Sequence, residues 1–152
     1  MFSLFLIAAM STVPSSFINL IETKAMFEGV DPVEIFAIAY IESRFDRKAS
    51  SHTGDYGMMQ VNCRVWWKHF QFASQKQCRR LMLHPELNIH YAIQIIKLYR
   101  KKYKQCIDQQ IYYCYNGGPG WQRSKNRDRI KHYGDRVKQM IKIFKKTRKN
   151  DV

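Results

Sequence analysis

The stretch Ile38-Ala39-Tyr40-Ile41-Glu42-Ser43-Arg44-Phe45 sets one acid into a run that is otherwise mostly apolar or aromatic. Ile38, Ile41 and Phe45 recur at helical spacing around Glu42, so a helix here brings the carboxyl out beside the core rather than in bulk water. Burial of that kind disfavours the charged form and raises a carboxyl pKa. A general acid working at neutral pH needs that rise. On this stretch alone a second arrangement stays open, with Glu42 facing solvent from the far side of an amphipathic helix.

The start of this helix is written just upstream, in Asp31-Pro32-Val33-Glu34. Asp31 is a good N-cap, Pro32 suits the first helical position, and Glu34 is placed to fold back as a capping-box partner. An earlier helix carries Phe17, Ile18, Leu20, Ile21, Ala25 and Met26, capped by Ser15 or Ser16 and stopped at Gly29. Downstream, residues 46–57 turn polar and read as a loop. Trp66 and Trp67 follow in a basic segment bounded by cysteines. Pro85 starts another helix, with an apolar stripe of Leu87, Tyr91, Ile95, Leu98 and Tyr99. A short helix runs into Tyr112-Tyr113-Cys114-Tyr115 and breaks at Asn116-Gly117-Gly118-Pro119-Gly120. The last segment, from about Ile130 to Phe144, sets Val137, Met140, Ile141 and Phe144 on one side and lysines largely on the other. No long strand pattern appears, so the chain reads as mainly α.

With 152 residues the chain suits one domain with a real core, and is short for two. Its formal charge of +14 calls for an anionic partner: nucleic acid, a membrane surface or an acidic wall polymer. Between Gln122 and Val152 twelve Lys and Arg face three Asp. Such a patch binds phosphates non-specifically, but no helix-turn-helix, zinc-finger or RNP pattern accompanies it, so no specific nucleic acid is expected.

Residues 1–10 form an apolar run too short to span a bilayer. With Ala9 and Ser11 before Thr12 it fits a secretory signal, although no Lys or Arg precedes it. The rival is a first helix that packs into the fold. Cys63, Cys78, Cys106 and Cys114 match neither a redox CxxC pair nor a usual zinc site. Nearest-neighbour disulfides, Cys63 with Cys78 and Cys106 with Cys114, suit an oxidising compartment, whereas four reduced buried cysteines suit an intracellular one.

Several motifs line up in order: Glu42-Ser43-Arg44-Phe45, then Ala49-Ser50, Gly54-Asp55-Tyr56-Gly57-Met58-Met59-Gln60-Val61, Pro85-Glu86-Leu87-Asn88-Ile89 and Tyr115-Asn116-Gly117-Gly118-Pro119-Gly120. In this order and spacing the chain resembles the soluble lytic transglycosylase and goose-type lysozyme superfamily (the SLT domain, similar to glycoside hydrolase family 23), from about Val30 to Trp121. Within it, the small single-domain enzymes of phage virions and of conjugation or secretion machines look most similar. Asp55 stands where the family pattern usually has a small residue, and Met58 where it usually has Leu. The resemblance implies a lysozyme-like α+β fold, mainly α, with one compact helical domain and a short β hairpin near the cleft; the expected organisation is a signal-like or N-terminal apolar segment over 1–14, the catalytic domain over 15–146 and a basic tail over 147–152.

The resemblance also implies a chemistry. Glu42 is the catalytic acid, Tyr115 the tyrosine beside it, and Gln60 a contact for the substrate's acetamido group. Met59 is expected to line the cleft, with Asn116 and Ser43 as weaker substrate contacts; Ser43 can instead bond its own helix backbone. Ordinary glycosidases need two carboxyls, and the second is not obvious here. Asp46 lies one helical turn from Glu42, where the helix should be ending, and Asp55 is the better candidate for orienting a water, with Asn62 beside it as an option. In the transglycosylase route the substrate's own acetamido group replaces the missing carboxylate, and neither cofactor nor metal is required. Trp66, Trp67 and Trp121 suit sugar faces, though core packing is the commoner fate of a Trp. The implied partner is the glycan strand of peptidoglycan, met outside the cytoplasm or in a virion, with a phage or secretion assembly as host. A wall-binding module without activity, a hydrolysing lysozyme and a nucleic-acid binder are the alternatives.

Overall fold

The computed structural model describes residues 13–150, with side chains to residue 147; residues 1–12 of the signal-like segment expected over 1–14 lie outside them. In chain order the elements are α1 (Ser15–Phe27), α2 (Pro32–Ser43), β1 (Asp55–Tyr56), β2 (Val61–Asn62), α3 (Cys63–Trp66), α4 (Gln75–Met82), α5 (Pro85–Lys102), α6 (Ile111–Gly117) and α7 (Arg127–Asn150). Three 3-10 turns join the later helices. The fold is mainly helical with one two-stranded antiparallel hairpin. No helix among the described residues is long and apolar enough to cross a membrane.

α2 is the central helix. Val33, Ile35, Phe36, Ala37, Ile38 and Ala39 are all buried, on every side of the helix rather than along one stripe. A helix apolar all round has to lie inside a domain. Fully burying Ile35 and Ile38 contributes roughly 1.5–3 kcal/mol each. α2 packs chiefly on α7, which also covers α6. At the α6–α7 crossing a Cβ on Gly134 would stand 2.3 Å from the Tyr113 ring, so only glycine lets the two helices meet there.

The caps of α2 follow the sequence in part. The Asp31 carboxylate accepts from the Val33 N–H at 2.9 Å, and Pro32 occupies the first turn. The capping box does not form. Glu34 turns away and accepts instead from the Arg100 guanidinium at 2.7 Å and the Tyr112 hydroxyl at 2.6 Å, because a charged partner and a phenol outbid one backbone N–H. Neither Ser15 nor Ser16 caps α1: the N-cap is Pro14, which offers no side-chain bond. Gly29, with φ at +69°, ends α1 as expected.

The α5 stripe is broader than the sequence suggests. Its fully covered face is Ile89, Ala92, Ile93 and Ile96, with Asn88 and Ile95, whereas Leu87, Tyr91 and Tyr99 are only half-buried. Asn88 is the one polar residue of the core among those described, at 0% exposure. Both nearest-neighbour disulfides are formed: Cys63–Cys78 ties α3 to α4, and Cys106–Cys114 ties a 3-10 turn to α6. α4, with its N-cap Ser74 accepting from the Gln77 N–H at 3.1 Å, was not apparent in the sequence pattern.

Candidate active site

Glu42 occupies the last turn of α2, and the chain stops the helix abruptly just beyond it. Arg44 and Phe45 both take left-handed backbone, with φ at 52° and 64°. Such a conformation costs a non-glycine residue roughly 1–2 kcal/mol. Packing offsets it: Phe45 buries its ring against Phe36 and Tyr40, and the Arg44 guanidinium donates to the Tyr40 hydroxyl at 2.9 Å. Asp46 is thereby carried to the surface, where its carboxylate accepts from the Lys48 N–H at 2.8 Å. It cannot serve as a second acid beside Glu42.

The hairpin is bound to α2 and α5 through backbone atoms of its turn. Ser43 Oγ donates to the Met58 carbonyl at 2.8 Å, with a longer contact of 3.4 Å to the Ala39 carbonyl of its own helix. Asn88 Oδ1 accepts from the Met59 N–H and its Nδ2 donates to the Tyr56 carbonyl, both at 2.7 Å. Tyr115 donates its hydroxyl to the Met59 carbonyl at 2.7 Å. Gly57, with φ at +77°, passes so close to α4 and α5 that a Cβ would lie 2.2 Å from the Met82 carbonyl oxygen. Two expectations change here. The Met59 side chain is fully buried and does not line the cleft; its carbonyl is the part that serves the site. Ser43 likewise spends its hydroxyl on the hairpin and lies outside the cleft lining.

The hairpin and helices enclose a cleft of about 710 Å³. Its lining includes Glu42, Asp55, Gln60, Asn62, Trp66, Tyr99, Tyr115, Asn116 and Tyr133. Gln60 donates its amide to the Gly57 carbonyl at 3.0 Å, which fixes the side chain at the cleft surface. Trp66 lines the cleft, backed by a stacked Phe70 at 5.6 Å. Trp67 lies outside the lining beneath Lys68, and Trp121 is buried against Tyr113.

The two carboxyls of the cleft differ in environment. Glu42 Oε1 accepts one hydrogen bond, from the Tyr133 hydroxyl at 2.7 Å. Burial pushes its carboxyl up to about 8; the Tyr133 bond pulls the other way, and the Asp55 charge adds a further push. Glu42 still keeps a partly open face toward the cleft, which is what a group handing protons to a substrate requires. The Asp55 carboxyl accepts from three side chains: Ser51 Oγ at 2.5 Å and Thr53 on Oδ2, and Asn62 Nδ2 on Oδ1 at 2.8 Å. Asp55 and Asn62 are directly paired across the hairpin, so their side chains share a face. Tyr115 and Tyr133 are both pushed well above the usual phenol range, by burial first and by the Glu42 charge next. Both therefore remain hydroxyl donors.

Tyr133 was not singled out from sequence, and Tyr99 and Asn88 were read only as a stripe residue and a motif position, not as parts of the site. Tyr133 had a readable signal: it falls between Ile130 and Val137 on the inward stripe of α7.

The arrangement offers one protonated acid in a sugar-sized cleft, an amide and aromatic walls, and nearby a second carboxyl that accepts from three side chains. Comparison with known proteins agrees with it. No curated protein matches the chain. The family model of the transglycosylase SLT domain matches residues 19–137, which takes in Glu42, the whole hairpin, Tyr115 and Tyr133. With more than three quarters of its length so matched, the chain belongs to the transglycosylase SLT domain family, whose activity is on peptidoglycan.

Proposed function

We propose that the protein is a lytic transglycosylase that cleaves the β-1,4 bond between N-acetylmuramic acid and N-acetylglucosamine in peptidoglycan. Glu42 donates its proton to the glycosidic oxygen as the bond to C1 breaks. The acetamido group of the muramoyl residue stabilises C1, a substrate-assisted route in place of a second protein carboxylate. Glu42, now ionised, takes the proton from the C6 hydroxyl as that oxygen attacks C1. The proton count closes, no water is consumed, and the product ends in a 1,6-anhydro sugar.

The observation that carries this reading is the asymmetry of the two carboxyls. A Glu42 carboxyl at about 8 can give and regain a proton near neutral pH. Three side-chain donors already occupy most of the lone-pair sites of Asp55, so it is poorly suited to act as a nucleophile or base. Gln60 and Asn116 line the same cleft and are assigned to the acetamido group and the sugar hydroxyls. Tyr115 supports the site through the Met59 carbonyl. The formed disulfides support action in an oxidising compartment, as an exported or virion-borne enzyme.

A second reading rests on Asp55 sharing the cleft with Glu42: a water ordered by Asp55 would attack C1, as in a hydrolysing lysozyme. Mass spectrometry of the soluble products from purified sacculi separates the two. Muropeptides lighter by one water, absent with Glu42→Gln, are expected. Reducing ends would mean hydrolysis, and no release at all would leave only a wall-binding module.

A further inference from the structure

α7 brings more than Tyr133 to the cleft. Arg129, His132 and Arg136 also line it. Arg129 lies four residues before Tyr133 and Arg136 three after, so both flank it on one helix face. All three are exposed, and none of their side chains makes a hydrogen bond or ion pair with another described residue. Other basic residues do find acidic partners: Lys24 with Glu86, Lys97 with Glu28 and Arg100 with Glu34, and on α7 itself Arg127 with Asp128, Lys138 with Asp135 and Lys145 with Asp31.

Nor does either acid of the cleft pair with this wall. Asp55 is hydrogen-bonded to Ser51, Thr53 and Asn62 and forms no ion pair with a guanidinium. Glu42 is held mainly protonated at neutral pH by its burial. Two unpaired guanidinium groups therefore border the cleft within about a helical turn of the tyrosine that holds the acid. A guanidinium presents a planar fork of donors matched to a carboxylate, which a neutral sugar hydroxyl does not satisfy.

We propose that Arg129, His132 and Arg136 form a carboxylate-binding wall of the cleft, which takes the acidic substituents of a glycan strand alongside its sugars. The proposal rests on the peptidoglycan reading above and names which strands the cleft selects. Two substituents of that polymer carry the chemistry: the lactyl carboxylate, free where the peptide has been removed, and the carboxylates of the stem peptide where it is present.

The test is binding to full-length Glu42→Gln, which leaves strands uncut. The ligands are solubilised uncross-linked strands with peptides, the same strands stripped of peptide by an amidase, and each of these after conversion of its carboxyls to neutral amides. Amidation is expected to weaken binding about tenfold or more, and Arg129→Gln with Arg136→Gln to remove that difference. Lys131→Gln with Lys146→Gln takes the same charge from the exposed outer part of α7 and is expected to keep it. An amidation effect on peptide-bearing strands alone identifies the stem peptide as the source; an effect on stripped strands as well includes the lactyl group. Equal affinity for acid and amide forms, or an equal loss in the Arg and Lys pairs, would overturn the wall. Cleavage by the unmutated protein is read separately, so a failed enzyme assay and a failed wall remain distinct results.

Discussion

Tyr133 on α7 sets its hydroxyl 2.7 Å from Oε1 of Glu42 on α2, joining two helices 91 residues apart at the acid itself. The bond favours the ionised carboxylate, so it holds the Glu42 pKa below the value burial alone would impose. Tyr133→Phe keeps the ring and loses only that donor. The Glu42 pKa should rise, moving the upper limb of the pH–rate profile to higher pH, and the rate should fall roughly tenfold or more. The pH dependence of sacculus solubilisation checks this. A profile left in place would reduce Tyr133 to a packing residue.

Asp55→Asn should move the same limb in the opposite direction. The Asp55 charge raises the Glu42 pKa, so its removal should lower it and bring the limb to lower pH. The transglycosylase reading also requires the anhydro product to persist, with a modest loss of rate. If the product changes, or if turnover stops while the fold is intact, Asp55 has a direct part in the chemistry.

How far the sequence revealed the site depended on range. Glu42, the α2 cap at Asp31 and the stop at Gly29 follow from local rules, because capping, helical spacing and glycine turns act within a few residues; the glycine break after Tyr115 also forms, but α6 runs on through Asn116 to Gly117 before it. Glu34 and Asn88 did not. Glu34 had a local partner available but found Arg100 and Tyr112, 66 and 78 residues away, by tertiary packing. Asn88 sits in a helix start that looks ordinary, and its role appears only once the hairpin folds over it. Met59 misled for a related reason: a motif position marks the residue, but not whether its side chain or its carbonyl does the work. Tyr133 lay within reach of the helical stripe, yet its partner on α2 could not be read from α7 alone.

Glu42 should also cost stability in a defined window. Its folded pKa, near 8, lies above its ordinary value of 4.5. Above about pH 4.5 the unfolded chain releases a proton that the folded protein keeps, so stability falls as pH rises towards 8 and then levels off. The partly open face of the carboxyl moderates the effect to the order of a few kcal/mol. Glu42→Gln removes this slope. Urea denaturation at pH 5 and pH 8 should show the variant gaining on the parent at the higher pH. Parallel behaviour at the two pH values would mean that Glu42 is not held neutral.

The disulfides make separable contributions. Free-thiol counting on the native protein should find none, and four after reduction in denaturant. Cys63 and Cys78 are separated by 15 residues and Cys106 and Cys114 by 8. Loop-closure entropy then gives about 3 kcal/mol for the first and about 2.5 kcal/mol for the second. Paired serine substitutions followed by urea denaturation measure each. The Cys63–Cys78 pair should also lower activity, because it ties α3, which follows directly on β2 and carries Trp66, to α4.

Asn88 offers the sharpest test of how the cleft is built. It is wholly buried, and its amide meets two backbone groups of the hairpin, the Met59 N–H and the Tyr56 carbonyl. Asn88→Ala leaves both without that partner beneath the hairpin. Each unsatisfied group costs about 1–3 kcal/mol, so a loss of roughly 2–5 kcal/mol is expected by urea denaturation. Asn88→Asp keeps the acceptor for Met59 but sets a carboxylate oxygen against the Tyr56 carbonyl, and should be no better tolerated above neutral pH. The hairpin carries Asp55 and Gln60 into the cleft, and its Met59 carbonyl holds Tyr115. Activity should therefore fall further than the folded fraction alone accounts for. Activity that tracks the folded fraction would mean that the hairpin keeps its place without Asn88, held by Ser43 and Tyr115.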